Sequence, residues 1–102
     1  MCSRYSSTTG VRKIGTMAQA FGRQITPHCA LNDLGTVAAL HLVASFPKSD
    51  LLELIHDPPI CSYRDRFSIF RNPPEMDAQG QMMVPQGPGL GVEIDPDLIV
   101  PA

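Results

Sequence analysis

With 102 residues the chain is one domain at most; 43% hydrophobic and 18% charged residues suffice for a core and do not suit a disordered segment. A net charge of −2 gives no electrostatic footprint for nucleic acid or an anionic membrane, and no apolar run approaches the ~20 residues that span a bilayer. Three widely spaced cysteines, Cys2, Cys29 and Cys61, with no CxxC pair and no signal peptide, fit a reduced, cytoplasmic setting.

Residues 1–10 are polar, rich in serine and threonine, and carry no periodic signal, so an irregular N-terminus is expected. From Val11 the pattern turns helical: Val11, Ile14, Met17, Ala18 and Phe21 recur at helical spacing on one face. Gly22 follows where a helix end favours a residue that tolerates positive φ, which predicts a helix over residues 10–21. The next segment, RQITPHC, is too short for a helix, and Pro27 pushes Thr26 towards extended geometry. It reads as a short strand over 24–26, with Pro27, His28 and Cys29 emerging from its C-terminal end.

Asn32 or Asp33 can cap a second helix whose apolar stripe includes Leu34, Val37, Ala38, Leu40 and Ala44, and Pro47 stops it. SDLLELI, residues 49–55, is a short apolar run bounded by Asp50 and by HDPP, consistent with a buried strand. Helix, strand, helix, strand with short connections implies parallel strands with right-handed crossovers, an α/β architecture. After residue 57 the character changes to proline pairs, glycine turns and one β-like run at 81–84. That stretch, residues 58–102, holds most of the ten prolines and reads as an extended tail laid over other structure.

Two residues carry candidate chemistry. His28 follows a predicted strand by one residue, where barrel folds place catalytic groups, and a neutral imidazole there can accept a proton near pH 7. A histidine bonded to its own loop backbone is the competing reading. Glu53 is the one charge in LLELI; a carboxylate in a buried strand is costly unless paired, so it marks either a site or the rim of the strand. His41, at the buried edge of a helix, reads as a core or interface residue, and His56, before DPP, as a turn residue. His28, Cys29, His41 and His56 show no ligand spacing for zinc, and GPGLG (87–91) lacks the helix and Lys-Ser/Thr of a phosphate loop, so it reads as a turn. No residue is assigned as a metal ligand or a cofactor contact.

Taken in order, GTMAQAFGRQITPH, GTVAALHLVASFP, LLELIHDPP and VPQGPGLGVEID resemble the C-terminal end of the mandelate racemase/muconate lactonizing branch of the enolase superfamily, and the acid-sugar dehydratases within it. The resemblance covers most of the chain, from about Val11 to Ile99. It implies a modified (β/α) TIM-type barrel of which residues 11–57 are the last two strand/helix units, with the 58–102 tail crossing back to a capping domain.

It also implies the chemistry: a proton is taken from the carbon next to a carboxylate, and Mg²⁺ stabilises the enediolate. By resemblance His28 matches the base at the end of the seventh barrel strand. Glu53 matches the eighth-strand carboxyl group that hydrogen-bonds the substrate carboxylate. The implied full-length parent is a magnesium-dependent, homo-oligomeric lyase or isomerase, a sugar-acid dehydratase or racemase, with a small-molecule carboxylate as substrate.

The departures are as specific. The carboxylate metal ligands and the lysine of the family's earlier strands have no counterpart here. The aspartate expected to partner the base would fall close to Met1, where CSRYSSTT has no acid. The expectation is therefore a fragment that is inactive alone, and a non-catalytic remnant or interaction module is the alternative.

Overall fold

The computed structural model describes residues 7–28 and 34–99. Cys2, Cys29 and the two capping candidates Asn32 and Asp33 lie outside the described residues.

The first helix, α1 (Thr8–Ala20), starts where Ser7 accepts a hydrogen bond on its hydroxyl from Gly10 N–H, satisfying one of the amides that a helix start leaves unpaired. It ends in a Schellman arrangement: Gly22 at φ 65° donates to Gln19 O, and Arg23 N–H reaches back to Ala18 O at 2.8 Å. The helix is where its periodicity puts it, but its inward face is rotated from the expected one. Gly15 is buried and Val11 and Ala18 are half-buried, whereas Ile14, Met17 and Phe21 remain 58%, 64% and 79% exposed. The reason is a notch. A Cβ on Gly15 would run into the Phe46 ring and come within 2.9 Å of Ile25 Cδ1, so only glycine lets this ring in so closely.

The second helix, α2 (Leu34–Ala44), buries Thr36, Val37, Ala39, Leu40, Leu42 and Val43. Those positions span well over half of the helix circumference at 100° per residue, so α2 has no single stripe. Of the expected stripe, Leu34 and Ala44 are exposed. The helix stops three residues before Pro47, as the restriction on residues ahead of a proline favours, and turns of Ser45, Phe46 and Ser49 follow.

The predicted strands are the main correction. Neither 24–26 nor 49–55 forms a β-ladder, and among the described residues β-pairing is limited to three isolated bridges, none within those segments. The two segments run extended side by side in the same direction, with Ile25 beside Ser49 and His28 beside Glu53. Ser49 Oγ accepts from Ile25 N–H at 3.1 Å, where a ladder would use a backbone carbonyl. Two short segments give too few backbone bonds for a sheet.

The segment expected as a covering tail supplies most of the aromatic core. Tyr63, Phe67 and Phe70 are buried against Val37, with ring centroids 6.1 Å and 5.9 Å apart along the series. A short helix, α3 (Tyr63–Arg66), sets the first two rings. Ser62 and Asp65 form a reciprocal capping box there, in a segment expected to be extended. The chain then returns along itself through antiparallel bridges at Phe70–Ile94 and Met76–Met82; the β-like run 81–84 pairs only at Met82. Asp77 Oδ1 accepts from the amides of Gln79 and Gln81 and closes the smaller hairpin.

The GPGLG stretch is a turn, with Gly91 N–H donating to Pro88 O. Gly91 has φ 75°, and a Cβ there would lie 2.8 Å from the backbone carbon of Pro85. Asn72 holds the turn from one side by donating to Gly91 O and accepting from Glu93 N–H. His41 holds it from α2: Leu90 O can only accept, so His41 Nε2 donates across 2.9 Å. A 3₁₀ turn (Pro96–Leu98) capped by Asp95 ends the described chain.

Two substitutions test this packing. Gly15→Ala gains about 1 kcal/mol of helix propensity, but overpacking against a buried ring costs about 1–3 kcal/mol. A lower melting temperature is therefore expected despite the better helix former, read in a thermal melt. Phe67→Ala empties the centre of the core, for which a loss of about 3–5 kcal/mol is expected, read as a lower denaturant midpoint with an unchanged m-value.

Candidate functional site: the His28–Glu53 pair

Four local features bring His28 to its place. Ile25 is tied through its amide to Ser49 and packs near the Gly15 notch. Thr26 precedes Pro27, which disfavours helical backbone at the residue before it, and Pro27 is buried. His28 follows directly, with its side chain 66% exposed. Glu53 reaches it from the other extended segment. There Leu54 packs on the aromatic core, and successive side chains of extended backbone point to opposite sides, so Glu53 is turned away from that core. Its side chain is 41% exposed, and Oε2 lies 2.7 Å from His28 Nδ1.

This geometry bears on the readings that the sequence left open. Among the described residues His28 is bonded to a carboxylate across 25 residues of chain. Glu53 is half-exposed and paired, so the cost of a buried lone charge does not arise. A carboxylate bonded to one imidazole nitrogen, with the ring open to solvent, is an arrangement that can accept or deliver a proton.

The other candidates are not brought to this place. His41 clamps Leu90. His56 stands exposed with its ring edge-on to Tyr63, 5.4 Å between centroids. Cys29 lies outside the described residues. His56, with Leu40, Val43, Leu54, Met76 and Met82, borders an open apolar groove of about 540 Å³, which neither His28 nor Glu53 lines. Ser49 is the positioning residue that sequence reasoning missed; its one signal is a hydroxyl at the start of an apolar run, where it can replace a missing ladder acceptor.

The order of these parts, a strand-end histidine, a small-residue helix and a strand-borne glutamate, has counterparts in known proteins. A family described as enolase C-terminal domain-like matches residues 2–98. The chain belongs to this family. An enolase of the mandelate racemase subgroup from Agrobacterium tumefaciens, whose crystal structure carries a succinimide residue, sodium and phosphate, superposes with a TM-score of 0.69 at 31% identity. The match covers 87% of this chain and 23% of that one, so the chain spans less than a quarter of its neighbour's length. No curated protein matches the chain.

Both comparisons identify an α/β fold fragment, the C-terminal part of an enolase-superfamily protein, although its strands are not laddered here. Among the described residues no three His, Cys, Asp or Glu side chains converge to hold a metal. Mg²⁺ requires near-octahedral oxygen ligands, and one carboxylate beside an imidazole does not supply them. Also among the described residues, no helix is long and apolar enough to cross a membrane.

Ser49→Ala removes the acceptor for Ile25 N–H and is expected to cost about 1 kcal/mol. The local reading is hydrogen exchange: the Ile25 amide should exchange faster, while amides in the middle of α2 keep their protection.

Proposed function

We propose that this chain carries the acid–base part of the active site of an enolase-superfamily enzyme that removes the α-proton of a hydroxy or sugar acid, as a dehydratase or racemase. The observation that carries the reading is the direct His28–Glu53 contact, two residues 25 apart in sequence on adjacent, codirectional segments. His28 is the proton acceptor through its second ring nitrogen. Glu53 is the adjacent carboxyl group, matched by resemblance to the one that meets the substrate carboxylate. In a complete barrel, residues 11–57 would be the last two strand/helix units. The 58–102 segment would present its outer side to a capping domain.

Mg²⁺, which stabilises the enediolate in this superfamily, would be held by carboxylates of strands outside this chain. The same proposal includes a homo-oligomeric, cytoplasmic parent.

A non-catalytic remnant is the second reading, motivated by residues 2–9, CSRYSSTT, which hold no acid to partner the base. The two are separated by reading the coding sequence upstream of Met1: in-frame carboxylate-bearing strands support the enzyme, and unrelated sequence supports the remnant.

The 102-residue chain alone is expected to show no Mg²⁺-dependent turnover of any sugar acid, measured as substrate loss by NMR. Turnover abolished by EDTA would overturn that expectation. In a protein that joins this chain to the preceding strands, His28→Asn keeps the ring's approximate shape and removes the acceptor. A fall in kcat of about 10²–10⁴-fold with little change in KM is expected. Near-normal turnover would end the base assignment.

A further inference from the structure

We infer that residues 87–95, the GPGLG turn and the VEID run after it, form a strap that opens as one unit while α2 stays folded, with His41 as its latch on that helix. The inference concerns motion and does not depend on a catalytic role for His28 or Glu53.

The strap is fastened by two kinds of contact, both of them partly wet. Leu90, Val92 and Ile94 turn alternate side chains towards Val37, Tyr63, Phe67 and Phe70. These three are half-buried, whereas the four residues they cover are 0–5% exposed. Apolar stabilisation grows with the area removed from water, so each strap residue contributes less than one in the core. The remaining contacts are polar. Arg71 N–H donates to Glu93 O and Asp95 N–H to Ile69 O, each at 2.8 Å, and Asn72 brackets Gly91 and Glu93. Arg71, Asn72 and Glu93 are exposed, so water can replace these bonds as they break. Half-buried apolar contacts and solvent-exposed backbone bonds mark a segment that opens below the cost of global unfolding.

The bond from His41 is of another kind. Its ring is half-buried on α2 and reaches across 49 residues of chain to donate from Nε2 to Leu90 O at 2.9 Å. Arg71 and Asn72 tie the strap to the segment beside it, and His41 ties it to the helix beneath. Leu90 packs on the core through its side chain and meets His41 through its carbonyl, so both contacts are released together. Opening bares the aromatic face. It leaves intact the contact of Gly15 with Phe46, which lies on α1 and just beyond α2.

The experiment is amide hydrogen exchange followed by NMR on the 102-residue chain, repeated at rising urea concentrations below the unfolding transition. The amides of Arg71, Glu93 and Asp95 bond across the strap's edge and are expected to share one opening equilibrium. Its urea dependence should be shallow, because opening exposes little surface. Amides in the middle of α2 should be better protected and respond more steeply to urea. His41→Ala weakens the closed form relative to both the strap-open and the unfolded chain. Both groups of amides should therefore exchange faster by a common factor, on the order of three- to tenfold. His41→Gln keeps a donor and should recover most of that loss. Gly15→Ala disturbs a contact that the strap-open form retains, so it should speed the α2 amides and leave the strap amides unchanged.

A single opening equilibrium with one urea slope for both groups would overturn the strap. Strap amides that follow those of α2 in Gly15→Ala would overturn it too; if that variant does not fold, the urea slopes decide alone. Exchange in His41→Gln as fast as in His41→Ala would end the latch role.

Discussion

The structure depends on a helix that has almost no polar side. In α2, LGTVAALHLVA, six of the eleven side chains are buried, distributed around well over half of the axis. Such a helix is stable only when surrounded, because fully burying one Val or Leu is worth about 1.5–3 kcal/mol relative to leaving it in water. Phe46 and α1 cover it from one direction. The aromatic series Tyr63, Phe67, Phe70 covers Val37 from another, and the closing turn is fastened to it by His41. The segment that looked like a cover supplies three of the nine buried hydrophobic residues among those described.

The position of the chemistry follows from that packing. His28 follows buried Pro27, and Glu53 precedes Leu54, which packs half-buried against the core; extended backbone places neighbouring side chains on opposite sides. Burying Leu54 thus turns Glu53 outward, and fixing Ile25 against Ser49 sets which residues stand opposite one another. The pair is a consequence of register, and register here is held by one side-chain hydroxyl in place of a β-ladder.

Membership of the enolase C-terminal domain-like family and the superposition on an enolase of the mandelate racemase subgroup give this arrangement a context. The match covers 23% of that neighbour, and in this chain Ile14, Met17 and Phe21 stand exposed. Large apolar side chains clustered on one helix face are uncommon on the surface of a closed domain.

Local chemistry was legible in the sequence. Helix α1 with its Gly22 stop, the limit that Pro47 sets on α2 and the glycine turn at 87–91 all follow from backbone rules acting over a few residues. His28 and Glu53 stood out because their residue types were unusual for where they sat. The strands at 24–26 and 49–55 were not decided there, because a ladder needs partners that no local pattern contains. Nor was the inward face of α1, where an empty Cβ position at Gly15 and the Phe46 ring outweighed three larger apolar residues. That His28 and Glu53 touch was beyond sequence altogether: a 2.7 Å contact across 25 residues is fixed only when two segments, a hydroxyl and a core meet in three dimensions.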